Sequence, residues 1–115
     1  MHELSIAQAL VEQVQKIAQE SNSGKVTRIT LRIGKLAGVD PDALSFAFPL
    51  AAEGTPLQNT QLDFISVEPE LRCRKCGKSV EAEFVSACLH CGSQDLELKQ
   101  GRELLIESVE MEDLS

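Results

Sequence analysis

The apolar residues Leu4, Ala7, Leu10, Val11, Val14, Ile17 and Ala18 recur at three- and four-residue spacing, with Glu12, Gln13, Gln15, Lys16, Gln19 and Glu20 between them. This spacing predicts an amphipathic helix with one buried stripe. Ser5 and Gln8 have the spacing of a capping box near its start, and Ser21-Asn22-Ser23-Gly24 supplies a stop. From Lys25 the period changes to two: Thr27, Ile29, Leu31 and Ile33 alternate with Arg28, Thr30 and Arg32, which predicts a strand with one buried face. Gly34 and Gly38 then loosen the chain. Asp40-Pro41-Asp42 starts a second helix, with Asp40 as cap and Pro41 at the first helical position. It is expected to run until Gly54, kinked or shortened by Pro49. Leu62, Phe64, Ile65 and Val67 predict a strand over 60–68 closed by Pro69. Leu104, Leu105, Ile106, Val109 and Met111 predict another over 102–111.

A length of 115 residues fits one principal core with at most one small appendage. No apolar run reaches the ~18 residues of a membrane span, so no membrane is expected as a partner. The start, Met1-His2-Glu3-Leu4, lacks the basic region and apolar stretch of a secretory signal, which makes a cytoplasmic location the expectation. Net charge is −7, and its distribution says more than its sum. Residues 1–68 carry 5 Lys/Arg against 8 Asp/Glu, residues 69–101 carry 5 against 5, and residues 102–115 carry 1 against 5. No segment is strongly basic, and four Phe with no Trp or Tyr leave little for base stacking. Nucleic-acid binding is therefore disfavoured.

The strongest chemical signal lies between the last two predicted strands. Cys73-Arg74-Lys75-Cys76-Gly77 and Cys88-Leu89-His90-Cys91-Gly92 are two C-x-x-C-G turns with 11 residues between Cys76 and Cys88. Such spacing lets one tight turn aim two sulfurs at a common point, and a following glycine accepts a left-handed backbone. Two facing turns make a tetrahedral four-thiolate site. With four protein ligands there is no open position for water or substrate, so the expected metal is structural zinc on Cys73, Cys76, Cys88 and Cys91. The competing readings are a redox pair, which usually comes singly at a helix start, and disulfides, which a cytosolic chain disfavours. Thiolates leave the cluster formally at −2, a charge that Arg72, Arg74, Lys75 and Lys78 are placed to offset. His90 reads as a solvent-facing knuckle residue, with an alternative ligand role, because four cysteines already complete the set.

His2 is the only other histidine. With the adjacent α-amine or backbone amides, its imidazole can close fused chelate rings with nitrogens in one plane, which suits Ni(II) or Cu(II) better than tetrahedral Zn(II). Met1-His2-Glu3-Leu4-Ser5, the stretch Ile33-Gly34-Lys35-Leu36-Ala37-Gly38-Val39 followed by Asp40-Pro41-Asp42-Ala43-Leu44-Ser45-Phe46, and the two cysteine turns together resemble the HypA/HybF family of hydrogenase maturation factors. The resemblance covers essentially the whole chain. It implies an α+β fold, two helices packed on a small three-stranded sheet, with a four-cysteine zinc-ribbon lobe inserted before the last strand. The corresponding domains would be 1–68 with 102–115 for nickel and 69–101 for zinc. It also implies a nickel metallochaperone with a nickel site at His2 and Glu3. Asp40 reads equally as helix cap or as part of that site. The implied partners are the GTPase HypB and the large-subunit precursor of [NiFe] hydrogenase. The other function classes are a zinc-ribbon adaptor in transcription or translation, opposed by charge and missing aromatics, and a hydrolytic enzyme. The second lacks a convergent His/carboxylate set and any Gly-rich phosphate loop, so no enzymatic activity is expected.

Overall fold

The computed structural model describes residues 2–21, 24–81 and 85–112. Helix α1 spans Glu3–Glu20. It begins one residue before Leu4, with His2 as its cap residue and no side-chain cap bond, so Ser5 lies within the first turn and the Ser5–Gln8 box does not form. Glu3 occupies that first turn, where a carboxylate suits the free N–H groups. Strand β1 is Lys25–Gly34, α2 is Pro41–Ala52 and β2 is Gln61–Val67. The chain then forms β3 (Glu70–Cys73), β4 (Ser79–Glu81) and β5 (Leu96–Gln100) before closing with β6 (Leu104–Glu112). None of β3, β4 and β5 was expected from the pattern, since each is too short to display alternation.

The first sheet has the order β2-β1-β6. β1 pairs parallel with β2, and α2 is the crossover that a parallel pair requires. β6 returns antiparallel on the other side of β1. The core lies between this sheet and the two helices. Ala7, Leu10, Val11, Val14 and Ala18 of α1 meet Leu44, Ala47, Phe48 and Ala52 of α2 over Val26, Ile29, Leu31 and Ile33 of β1. The inward residue at the start of β1 is thus Val26 and not Thr27. A register shift between Val26 and Arg28 turns Thr27 aside, where its hydroxyl donates to the Glu110 carbonyl at 3.1 Å. On the opposite face Arg28 pairs with Asp63 and Glu110, and Arg32 with Glu107. These half-exposed pairs add little stability but set the polarity of that face.

α2 continues through Pro49 to Ala52, two residues short of Gly54. There Thr55 Oγ1 donates to the Ala52 carbonyl at 2.6 Å and turns the chain. β6 begins at Leu104 and not at 102, because Glu103 is used in a turn in which its Oε1 accepts the Gly101 N–H at 2.5 Å.

The second sheet, β4-β3-β5, is antiparallel throughout and is inserted between β2 and β6. Among its described residues the buried apolar side chains are Cys73 and Cys88 alone, apart from Pro69 at its base. The two parts join where Gly34 lies directly against Gly101. A methyl on Gly34 would stand 2.1 Å from the Gly101 carbonyl carbon and oxygen, and one on Gly101 would stand 2.8 Å from Pro69 Cα. Gly34 N–H to Glu103 O (2.8 Å), Lys35 N–H to Val67 O (3.0 Å) and Leu36 N–H to Gly101 O (2.7 Å) knit this junction. No described helix is long and apolar enough to cross a membrane.

Candidate metal centre

The end of β3 and the 88–91 turn bring the four cysteine sulfurs within 4.8 Å of one another. The two halves are built alike. In the first, Cys73 N–H donates to Lys78 O (2.9 Å), Gly77 N–H to Cys73 O (2.8 Å) and Cys76 N–H to Cys73 Sγ (3.4 Å). In the second, Cys88 N–H donates to Ser93 O (2.7 Å), Gly92 N–H to Cys88 O (2.9 Å), and both His90 and Cys91 N–H to Cys88 Sγ (3.4 Å each). Gly77 and Gly92 take φ of 80° and 79°, the left-handed conformation that closes each turn. Each turn contributes one buried residue, Cys73 or Cys88, and one more exposed residue, Cys76 or Cys91.

Across the centre, Cys73 and Cys91 Sγ are 3.6 Å apart, as are Cys76 and Cys88 Sγ. A tetrahedron with metal–sulfur bonds of ~2.3 Å has edges of about 3.8 Å. The donor set thus matches a four-thiolate metal site in both chemistry and spacing. The same separations are far beyond the ~2.05 Å of a disulfide.

Electrostatics sets Cys88 and Cys73 apart from Cys91. The N–H groups of Cys91 and then His90 pull the Cys88 thiol down to about 6 against the opposing effect of burial. Cys73 is lowered chiefly by the Cys76 N–H. At Cys91 the Ser93 N–H lowers the thiol, but burial and hydrogen bonds from the Cys73, Cys88 and Cys76 sulfurs outweigh it and raise the group to about 11. Without metal, the negative charge thus favours Cys88 and Cys73. Metal entry must displace the remaining protons, so affinity rises with pH. The Arg74 guanidinium bonds Glu97 Oε2 (3.3 Å) and Asp95 Oδ1 (3.2 Å), which hold its pKa up. His90 is exposed and contributes its backbone N–H to the turn.

His2 and Glu3 lie elsewhere, at the start of α1. The His2 side chain is 59% exposed, and its Nε2 stands 4.0 Å from Glu3 Oε2. Nε2 also lies 3.1 Å from the Gly38 carbonyl oxygen, a contact between the helix start and the β1–α2 loop. A backbone oxygen 36 residues away leaves no trace in a sequence pattern. Asp40 accepts the Asp42 N–H on Oδ1 at 3.0 Å and caps α2. The amine of Met1 lies outside the described residues. A cavity of about 420 Å³ near the end of α2, lined by Phe48, Pro49, Leu50 and Leu57 among others, holds none of these donors.

Residues 1–111 match a family model described as "Hydrogenase/urease nickel incorporation, metallochaperone, hypA". A hydrogenase maturation factor HypA from a Synechococcus strain is 42% identical over 111 residues, covering 96% of this chain and 99% of its own length. One from Chlorobium phaeobacteroides is 38% identical over 113 residues, covering 97% and 100%. Among solved structures, the solution structure of the Ni metallochaperone HypA from Helicobacter pylori superposes with a TM-score of 0.72 at 25% identity, covering 98% of this chain and 99% of that one.

Proposed function

Since the chain belongs to the HypA family of nickel-incorporation metallochaperones, we propose that it binds Ni(II) at its N-terminus and delivers it during [NiFe]-hydrogenase maturation, while Cys73, Cys76, Cys88 and Cys91 hold one structural zinc ion. The observation that carries this reading is the presence of two donor sets of different character. One is a cluster of four cysteine sulfurs within 4.8 Å of one another, enough ligands to fill a tetrahedral metal and leave no position for exchange. The other is an exposed histidine at a chain start, beside a carboxylate and backbone nitrogens.

Zinc suits the first set because four thiolates in a tetrahedron are its ordinary structural environment. The scarcity of buried apolar side chains among the lobe's described residues supports the same assignment, because metal binding then supplies much of its folding free energy. We assign the zinc lobe to 69–101 and the nickel-binding α+β domain to 1–68 with 102–115. Nickel suits the second set because an imidazole and adjacent backbone nitrogens form a plane. His2 is the principal ligand, with Glu3 beside it. Asp40 commits Oδ1 to its cap, so any share it has in nickel falls to Oδ2.

Delivery is ligand exchange, with no covalent chemistry and no catalytic residue. An exposed site releases its cargo more readily than a buried cage. The partners consistent with this role are the GTPase HypB and the large-subunit precursor of [NiFe] hydrogenase, in the cytoplasm. The test is hydrogenase activation in cells carrying His2→Ala. We expect activation to fall and excess nickel in the medium to restore part of it. Full activation by a stably folded His2→Ala protein at low nickel would refute the reading.

A further inference from the structure

We propose that the Gly38 carbonyl is a positioning group for His2, accepting the ring's Nε2–H so that Nδ1 keeps the lone pair needed for nickel. This rests on the reading of the N-terminus as a nickel site.

The contact itself is the first observation: Nε2 of His2 and the Gly38 oxygen are 3.1 Å apart. A carbonyl oxygen only accepts hydrogen bonds, so the proton of a neutral ring belongs on Nε2. The choice of nitrogen matters for chelation. A metal held by the His2 backbone nitrogen and by Nδ1 closes a six-membered ring, whereas Nε2 lies on the far edge of the imidazole and cannot close it. Histidines that bind metals commonly donate their other N–H to a carbonyl or carboxylate, which fixes both tautomer and orientation. Glu3 Oε2, at 4.0 Å from Nε2, is too distant to take that role here.

The second observation is that this carbonyl is held in place. Its loop is tied by Ala37 N–H to Gly34 O (3.0 Å) and Leu36 N–H to Gly101 O (2.7 Å), and beyond it by the Asp40 cap of α2. Gly38 has φ of 76°, and no atom lies within 4 Å of where a Cβ would stand. Backbone conformation therefore restricts which residues fit there, while space does not. That conformation sets where the carbonyl points. Asparagine tolerates left-handed φ and valine does not, so the two substitutions separate conformation from side-chain bulk.

The experiment uses untagged full-length protein, with zinc content checked. Nitrogen-15 spectra of the His2 ring at about pH 8, where an ordinary imidazole is neutral, report the tautomer without nickel. Nickel titrations then compare wild type, His2→Ala, Gly38→Asn and Gly38→Val. We expect the Nε2–H tautomer in wild type and in Gly38→Asn, with nickel affinities within about twofold of each other. Gly38→Val should show mixed tautomers and bind nickel roughly five- to tenfold more weakly, the effect of one modest hydrogen bond. An Nδ1–H tautomer in the wild type overturns the proposal without recourse to any variant. Wild-type nickel affinity in Gly38→Val, with binding abolished in His2→Ala, removes the role of Gly38 and leaves the nickel site standing. Undiminished nickel binding in His2→Ala removes the N-terminal site and the proposal with it.

Discussion

The Gly34–Gly101 junction allows a substitution whose effect can be worked from the structure. In Gly34→Ala the added methyl would stand 2.1 Å from the Gly101 carbonyl carbon and oxygen and 2.7 Å from the Arg102 nitrogen. The obstructing atoms are backbone, with no flexible side chain to swing away. Relief requires the 101–103 segment to retreat by more than about 1 Å, which forfeits close contacts outright. It also threatens the bonds from Gly34 N–H to Glu103 O and Leu36 N–H to Gly101 O, each contributing about 1 kcal/mol. Overpacking itself costs about 1–3 kcal/mol. The lower chain entropy of alanine in the unfolded state offsets about 0.4–1 kcal/mol. A net loss of about 3 kcal/mol follows, a large part of the ~5–15 kcal/mol typical of a folded domain. Urea unfolding of zinc-saturated protein measures it, followed by far-ultraviolet circular dichroism because the chain has no Trp or Tyr. Amide exchange should show faster opening at Gly34, Leu36 and Gly101. A loss below about 0.5 kcal/mol with wild-type exchange at those amides would refute the steric argument.

Asp40→Ala removes the α2 cap and should cost about 1 kcal/mol. Asp40→Asn keeps an accepting oxygen and should restore that stability, whereas loss of nickel binding in the stable Asp40→Asn protein would make the carboxylate a ligand. Glu103 is lowered from its ordinary value of 4.5 by its own N–H and that of Gly101, and by the Arg32 charge. Its folded pKa is depressed, so its contribution is complete above 4.5 and is lost as pH falls through the folded value. Glu103→Gln should therefore lower stability near neutrality and flatten its decline in acid, as read from unfolding midpoints across pH. Chelation of zinc should raise amide exchange across the described part of 69–101 while protection in α1 and β1 persists, and uniform loss of protection would contradict the inserted-lobe account.

Much of this was legible because the strong signals were local and periodic. The α1 stripe and the Asp40-Pro41 start locate both helices, and the cysteine spacing gathers the four sulfurs without knowledge of the fold. Thr27 shows one limit: strict alternation places it inward, but pairing with β6 shifts register after Val26. β3, β4 and β5 escaped because strands of three to five residues around a metal site are specified by the sulfurs and the turns, not by an apolar face. Arg74 shows another limit. Its neighbours in sequence are the cysteines, but its partners in space are Asp95 and Glu97. The Gly38 contact with His2 joins a backbone atom to a distant side chain, which no spacing rule encodes.

The central claim is that nickel and zinc occupy separate sites, and paired metal analysis tests it most directly. Untagged wild-type protein, His2→Ala and Cys76→Ala would be equilibrated with nickel and freed of loosely held metal before both elements are quantified in each chain. The account predicts about one zinc per chain in wild type and in His2→Ala, with nickel retained in wild type and lost in His2→Ala. Folded Cys76→Ala protein should lose zinc and keep nickel. Nickel that survives in His2→Ala but disappears from folded Cys76→Ala protein would place nickel on the thiolates and contradict the account.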